Sequence, residues 1–236
     1  MSPGNMRKNF PDKILVDPPS SVETDTWLPH DVTSMDAWRR VIGDIRDRFG
    51  RLDCLVNDAG ISLSESIVNT SLDQWRRVLS VTLESVFLSM KAALPLLLES
   101  GRSRPGGASV VNVSSTSGLR GSPFSAAYGA SKAAVSLLTK TAAKEFGALG
   151  YPIRVNSVHP GAVETPMLQT IMRSEVDAGF ARSAEGLKAS WSNISALKAP
   201  WSAPGDSRRS GVSVFACREF HDWGGTRDRW RNSRLK

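Results

Sequence analysis

Three short apolar runs, each ending in residues typical of turns, constrain the fold of this chain more than any other feature. The runs cover residues 51–57, 108–114 and 153–159, and the second and third contain three β-branched residues each. Runs of this length and composition predict buried strands. Stretches with apolar residues at helical spacing separate them, and such alternation is typical of right-handed crossovers between parallel strands. We therefore predict an α/β fold built on a doubly wound parallel sheet.

The helical stretches have recognisable starts. Helices are predicted over residues 34–50, 72–100 and 126–146. Thr33 and Asp36 have the spacing of a capping box at the first helix, and Ser71 and Gln74 have it at the second.

Two further expectations concern the interiors of these helices. Pro95 has no backbone N–H to donate, so it should kink or end the second helix. In the third helix we expect the inward face to carry the apolar residues Ala133, Ala134, Leu137 and Leu138.

Polar residues cluster where the predicted strands end. In open α/β sheets, ligands bind beyond the carboxyl ends of the strands. The residues at these ends are Asp31-Val32, Asn57-Asp58-Ala59-Gly60, Ser114-Ser115 and the segment 160–165. The helix after Ser115 adds Tyr128 and Lys132, which share one helical face because they are four residues apart.

The Tyr128–Lys132 pair has a chemical use. A free tyrosine has a pKa of about 10, and a nearby ammonium favours its phenolate. We expect Lys132, helped by the positive charge of a nicotinamide, to lower the pKa of Tyr128 so that it exchanges a proton with an alcohol or carbonyl oxygen. Ser115 would hydrogen-bond the same oxygen. Since either motif alone is often only a solvated helix face or a turn, their joint position at strand ends carries this argument.

Composition narrows the classes of partner. The 236 residues include 30 Lys+Arg, 23 Asp+Glu and two cysteines, with a formal net charge of +7. Two cysteines cannot build a disulfide framework, and no apolar run approaches the roughly 18 residues of a membrane span. We expect a cytoplasmic protein with no metal site and no membrane or nucleic-acid partner. Residues 200–236 hold eight basic against four acidic residues, so nucleic-acid binding by this tail is the least favoured alternative.

The central region, from about Asp31 to Met167, resembles the short-chain dehydrogenases/reductases. The resemblance rests on HDVTS at 30–34, VNDAG at 56–60, VNVSSTSG at 111–118, YGASK at 128–132 and HPGAVETPM at 159–167. It implies a Rossmann-like fold and hydride transfer between NAD or NADP, with NAD favoured, and a secondary alcohol or ketone. TLESVF at 82–87 and the segment after Thr165 are most similar to the hydroxysteroid and cyclic-alcohol dehydrogenases of that family.

The resemblance also implies roles for individual residues. Ser115, Tyr128 and Lys132 would be catalytic, and Lys132 would also bond the nicotinamide ribose. The implied cofactor-binding residues are Asp31, Val32, Asn57, Ala59, Gly60, Tyr128, Lys132, Pro160, Gly161, Val163 and Thr165. Of these, the first two would meet the adenine and the last two would hold the carboxamide.

A lid and an oligomer interface follow from the same resemblance. The lid is expected over about 164–197, where two helices either cover an apolar substrate or simply pack. Its apolar inner face would comprise Met167, Leu168, Ile171, Met172, Phe180, Leu187 and Trp191. The helices over 72–100 and 126–146 would form the interface of a homodimer or homotetramer, or would pack only within the monomer.

The chain departs from the family's pattern near its start and within two motifs. No glycine-rich phosphate-binding turn precedes Asp31, and residues 1–30 are expected to supply at most one strand, near 13–16. Asp17, which follows that strand, is a weak candidate for a ribose ligand. Thr82 stands where the family usually has an Asn, and Asp58 replaces the second Asn of its NNAG motif.

Residues 200–236 depart furthest, so we expect one domain over 1–199 and an atypical basic tail that is disordered or loosely packed. Back-translation of residues 205–230 in a frame shifted by one base gives an ending like the family's, which suggests a frameshift that the coding DNA would test. Two functional readings stay open. One is an NAD(P)-dependent alcohol dehydrogenase or ketone reductase, and the other is a catalytically impaired or non-enzymatic, partner-binding relative.

Overall fold

A three-stranded parallel sheet lies at the centre of the computed structural model, which describes residues 28–194 and 201–202. Its strands are β1 (Cys54–Asn57), β2 (Ala108–Val113) and β3 (Ile153–Val158), in that spatial order. The register sets Asn57 opposite Asn112, and Asn112 opposite Ser157. A second, two-stranded parallel sheet pairs β4 (Val163–Glu164) with β5 (Trp201–Ser202). The predicted α/β architecture with a parallel sheet is confirmed.

Helices connect the strands. They are α1 (Met35–Phe49), α2 (Leu72–Leu79), α3 (Ser85–Arg102), α4 (Ala126–Ala148), α5 (Pro166–Asp177) and α6 (Ala184–Ile194). A π-helical turn (Ser80–Glu84) joins α2 to α3, and a 3-10 turn (Thr116–Gly118) lies between β2 and α4.

One predicted capping box is confirmed and the other is wrong. At α2, the Gln74 amide donates to Ser71 Oγ (3.2 Å) and the Ser71 amide donates to Gln74 Oε1 (2.9 Å). At α1 the N-cap is Ser34, whose Oγ accepts from the Ala37 amide at 3.3 Å. Thr33 does not cap because its hydroxyl donates to the Asp31 carboxylate instead.

Of the two expected effects of Pro95, the end of the helix does not occur. Pro95 lies inside α3, which continues to Arg102. A proline in a helix interior costs about 3 kcal/mol. Its neighbours Ala93, Leu96 and Leu97 are almost completely buried in the core, and their packing offsets this cost.

The predicted inward face of α4 is only partly correct, because Ala134 and Leu138 are partly buried and Leu138 packs against the main core. Ala133 and Leu137 are exposed. The buried residues of this helix are Ala127, Ser131, Lys132, Val135, Ser136, Thr139, Ala142 and Phe146. Several are hydroxyl residues that donate to carbonyls within the helix, so they can be buried, and an apolar stripe does not reveal them.

The main core lies where α3 and α4 pack on the sheet. Its central residues include Ala93, Leu97, Val110, Val135 and Val155. Contrary to expectation, the continuous helix 72–102 is long and apolar enough to cross a membrane, judged by length and composition. Buried core helices pass the same test, and 44% of its most apolar window is buried, so this is weak evidence for a span.

Some predictions lie outside the described residues. These are the strand near 13–16, the candidate ribose ligand Asp17, and the expected basic tail over 200–236 apart from the two residues of β5.

Candidate active site

The three predicted catalytic residues lie together at the carboxyl end of β2. Ser115 immediately precedes the 3-10 turn, while Tyr128 and Lys132 lie in the first turns of α4. The Ser115 side chain lies near enough to the Tyr128 phenol to lower its pKa, which burial raises overall. Lys132 Nζ lies 5.7 Å from the centre of the Tyr128 ring. A phenol, a hydroxyl and an amine therefore converge at one strand end.

Hydrogen bonds to the backbone fix Lys132. Its Nζ donates to the Val113 carbonyl at 2.6 Å, and the residue is only 4% exposed. Its own carbonyl accepts from Ser114 Oγ (2.8 Å) and Ser136 Oγ (2.9 Å). These bonds tie the start of α4 to the end of β2, so the position of the amine is set by the sheet.

A glycine that sequence reasoning did not single out brings the 3-10 turn against α4. A Cβ added at Gly118 would lie 2.7 Å from the Lys132 carbonyl carbon and 2.8 Å from the Ala133 nitrogen. Distances this short are not tolerated, so only glycine fits here without movement. The signal in the sequence was its position at the end of the VNVSSTSG motif.

The electrostatics of the pair differ from the expectation. Burial raises the pKa of Tyr128, a hydrogen bond from Ser115 partly opposes this, and the charge of Asp58 raises it further. Burial lowers the pKa of Lys132 to about 8, and Asp58 opposes that shift. The expected lowering of the Tyr128 pKa is therefore wrong for the protein alone, because desolvation outweighs the other contributions.

The loop after β1 borders the amine. A Cβ added at Gly60 would lie 3.6 Å from both Lys132 Nζ and Thr82 Oγ1. Thr82, fully buried in the π-helical turn, accepts from the Ile61 amide and donates to the Ile61 carbonyl, each at 3.2 Å. Its hydroxyl thus anchors this loop beside Lys132.

Asn57, predicted to line a cofactor groove, uses its side chain inside the protein. Its Nδ2 donates to Asn112 Oδ1 at 2.8 Å, and its Oδ1 accepts from Ser89 Oγ at 2.7 Å. Asn112 Nδ2 donates in turn to Thr139 Oγ1 at 2.9 Å. All four residues are buried, so only backbone groups of Asn57 remain for a ligand.

The predicted adenine-binding residues lie before α1. Asp31 is exposed, and its Oδ1 accepts from the Thr33 amide (2.8 Å) and hydroxyl (2.6 Å). These bonds hold the pKa of Asp31 below its ordinary value. The Val32 carbonyl accepts from Trp38 Nε1 at 2.9 Å.

The segment after β3 returns to Ser115. The Thr116 amide donates to the Pro160 carbonyl at 3.0 Å, and a Cβ added at Gly161 would meet open space. Val163 belongs to β4. Thr165 caps α5, with its Oγ1 accepting from the Leu168 amide at 3.2 Å.

Two contacts missed by sequence reasoning join α5 and its C-terminal end to the loops beside the site. The rings of Phe124 and Phe180 are stacked, with centres 3.6 Å apart and planes 2° apart. Ser64 Oγ donates to Glu175 Oε1 at 3.1 Å. Phe180 was expected either to cover a substrate or simply to pack, and its ring packs on Phe124.

The donors at this strand end suit a nucleotide cofactor. Lys132 has ammonium protons beyond the one given to Val113, which suit ribose hydroxyls. Thr165 accepts with its oxygen and keeps its O–H to donate to a carboxamide. Among residues 28–194, no group of three or more His, Cys, Asp or Glu side chains is arranged to hold a metal ion.

Comparisons with known proteins identify the family of the chain. Residues 15–189 match a family model described as enoyl-(acyl carrier protein) reductase. The chain is 43% identical over 155 residues to trans-4-hydroxycyclohexanecarboxylate dehydrogenase of Sinomonas cyclohexanicum, covering 66% of this chain and 57% of the relative. It is 39% identical over 160 residues to 3-alpha-(or 20-beta)-hydroxysteroid dehydrogenase of Mycobacterium tuberculosis, covering 68% and 59%. The chain thus spans less than two thirds of the length of these relatives.

A solved structure shows similarity in both fold and sequence. The structure of ElxO with NADP bound superposes with a TM-score of 0.60 at 34% identity, covering 74% of this chain and 64% of that one. The similarity to hydroxysteroid and cyclic-alcohol dehydrogenases expected from the sequence is confirmed.

Proposed function

This chain belongs to the short-chain dehydrogenase/reductase family, and from that premise we propose that it transfers a hydride between a nicotinamide nucleotide and a secondary alcohol or ketone. The convergence of Ser115, Tyr128 and Lys132 at the carboxyl end of β2 is the observation that carries the proposal. A non-enzymatic role would not require a buried amine beside a half-buried phenol.

The proposed roles follow from the protonation states. Because the pKa of Tyr128 is raised, its phenol is protonated at neutral pH and can donate a proton to a carbonyl oxygen. Ser115 hydrogen-bonds the same oxygen as negative charge develops on it. The amine of Lys132, with a pKa of about 8, is mainly protonated at neutral pH and favours the phenolate left after proton transfer. When bound, the nicotinamide nucleotide supplies or accepts the hydride.

The proposed nucleotide site uses the residues assigned by resemblance. Asp31 and Val32 would meet the adenine, Lys132 the nicotinamide ribose, and Thr165 the carboxamide. The remaining wall comprises Asn57 through its backbone, Ala59, Gly60, Tyr128, Pro160, Gly161 and Val163. NAD and NADP are both compatible with this set, since the relative compared above was solved with NADP and no described residue discriminates between them.

The proposed substrate is an apolar, cyclic secondary alcohol or its ketone. The relatives are named for hydroxycyclohexanecarboxylate and hydroxysteroid substrates. The lid would be formed by α5 and α6 within a domain covering 1–199, and the enzyme would work in the cytoplasm. Met167 is 42% exposed at the start of α5, as an apolar residue facing a cleft would be.

A homodimer or homotetramer is also proposed, through the faces of α3 and α4. Phe87 is 49% exposed on α3, and Leu137 is 66% exposed on α4. Large apolar residues exposed on helix faces favour association with a second copy. Sedimentation velocity should give a mass of at least two chains, and a monomer at micromolar concentration would contradict this part of the proposal.

Nucleotide titration with turnover assays tests the function. NADH and NADPH should each be titrated while tryptophan fluorescence is followed, and reduction of cyclohexanone should be assayed with the better binder. Tyr128→Phe should abolish turnover and keep nucleotide binding. Tyr151→Phe is a matched control, because it removes the only other tyrosine hydroxyl of the sequence, and it should retain activity.

The outcomes separate the candidate functions. Turnover that survives Tyr128→Phe would refute the acid–base role. Failure of both nucleotides to bind would favour a non-enzymatic, partner-binding relative.

A further inference from the structure

The Phe124–Phe180 stack joins the lid to the loop that leads into α4. Phe124 precedes Tyr128 by four residues, and Phe180 follows α5. Among the described residues, Phe124 is the only non-glycine with a positive φ, at 58°. A bulky residue adopts this conformation at a cost in strain, so contacts must hold it there. The ring stack and a hydrogen bond from the Glu65 amide to the Phe124 carbonyl (2.9 Å) supply such contacts.

The second connection is a buried carboxylate. Glu175 is 9% exposed, although it belongs to a lid helix. Ser64 Oγ donates to its Oε1 at 3.1 Å, and burial raises the pKa of the carboxyl. A carboxylate is rarely buried without a hydrogen-bond donor. The hydrogen bond from Ser64 therefore stabilises α5 in the position where Glu175 is buried.

Both connections end on one short segment that also borders the candidate active site. Gly60 lies beside Lys132 Nζ, and Ile61 is bonded to Thr82. Ser64 and Glu65, a few residues on, hold Glu175 and Phe124. The lid is thus attached to segment 60–65, whose first residue, Gly60, lies beside the amine.

We propose that these two contacts, Phe124–Phe180 and Ser64–Glu175, form a latch that positions the lid over the candidate active site and thereby sets the apparent affinity for substrate. The four residues are positioning residues, because none is placed at the reacting atoms. The link to substrate affinity rests on the proposed function, whereas the latch itself does not.

Limited trypsin digestion tests the latch without any activity. Arg173 and Arg182 are exposed and flank Glu175 and Phe180, so release of the lid should speed cleavage at these two sites. Phe180→Ala and Ser64→Ala should each raise the cleavage rate about two- to tenfold, as expected for the loss of one aromatic pair or hydrogen bond. The double variant should be faster than either single one.

Control variants separate the latch from general destabilisation. Phe180→Tyr retains the ring and should restore slow cleavage. Phe49→Ala removes a half-exposed ring at the end of α1, away from the lid, and should leave the cleavage rate unchanged. The latch would be overturned if Phe180→Ala and Ser64→Ala were both cleaved as slowly as the parent. It would also be overturned if Phe49→Ala accelerated cleavage equally.

Kinetics test the link to substrate. In Phe180→Ala and Ser64→Ala the KM for the ketone should rise about two- to tenfold while kcat changes less than about twofold. Faster cleavage with an unchanged KM would retain the latch and overturn its role in substrate affinity. A parent protein without turnover would instead refute the proposed function, and the digestion result would still stand.

Discussion

Gly118 and Lys132 meet backbone to backbone, with a Cβ position at Gly118 only 2.7 Å from the Lys132 carbonyl carbon. This contact sets the spacing between the 3-10 turn that follows Ser115 and the helix that carries Tyr128. The relative position of the three candidate catalytic residues therefore depends on Gly118 having no side chain.

Gly118→Ala should impair turnover more than folding. The added Cβ forces the turn away from α4, which should lower the free energy of unfolding by about 1–3 kcal/mol. Misplacement of a catalytic group by about 1 Å can cost on the order of 100-fold in rate, so kcat/KM should fall at least tenfold. Chemical denaturation and steady-state kinetics measure the two effects. Gly121→Ala, at a site where a Cβ meets nothing within 4 Å, should change neither, and equal effects of both substitutions would contradict the argument.

Lys132→Met should abolish turnover and stabilise the fold at neutral pH. The pKa of Lys132 is lowered from 10.5 to about 8. This shift means that burying the charged amine lowers the free energy of unfolding by about 3 kcal/mol at pH 7. Loss of the hydrogen bond to Val113 offsets part of this, so the free energy of unfolding should rise by about 1–2 kcal/mol.

The same substitution has a pH signature. Between about pH 8 and 10.5 the unfolded parent binds a proton at Lys132 that the native parent does not, so the parent gains stability as pH rises. The advantage of Lys132→Met should therefore shrink over this range and persist below pH 8. Thermal unfolding of both proteins from pH 7 to 10.5 checks this. If the stability of Lys132→Met relative to the parent grew with pH, the lowered pKa of Lys132 would be contradicted.

Asp58→Asn should shift the pH profile of turnover to lower pH. The Asp58 charge raises the pKa values of both Tyr128 and Lys132, so its removal lowers both. The shift should be larger at low salt than at high salt, because Asp58 is exposed and its charge is screened by ions. Profiles of kcat/KM at two ionic strengths measure it. Asp73→Asn, at an exposed position in the first turn of α2, should leave the profile in place.

Asn112→Ala should destabilise the sheet without altering the candidate site. The substitution leaves the Asn57 amide and the Thr139 hydroxyl without their buried partner, at a cost of about 2–4 kcal/mol. Urea denaturation should show this loss, while Asn69→Ala on an exposed loop should cause almost none. A loss below about 0.5 kcal/mol would mean that the network contributes little.

Sequence patterns predicted the parallel sheet because strand-forming runs and turn residues are local signals. The three strands lie within the predicted runs, and the Ser71–Gln74 capping box is present. They also predicted that Ser115 and the Tyr128–Lys132 pair meet, because parallel strands place their carboxyl ends at one edge.

Other features depend on tertiary contacts that no local pattern encodes. The buried face of α4 contains Ser131, Ser136 and Thr139, whose hydroxyls are satisfied within the helix, so hydropathy favoured a face that is only partly buried. The direction of the Tyr128 pKa shift follows from how deeply the ring is buried, which spacing alone does not give.

The π-helical turn at Ser80–Glu84 has a consequence for chain length. A π-turn accommodates one residue more than an α-turn, and each residue of an α-helix advances its direction by about 100°. If one residue were removed there, the anchor at Thr82 and the sheet-facing Val86 and Ser89 could no longer point inward together. Deletions should therefore be far less tolerated in this turn than point substitutions, and a homologue lacking that residue must anchor its Ile61 loop by other means.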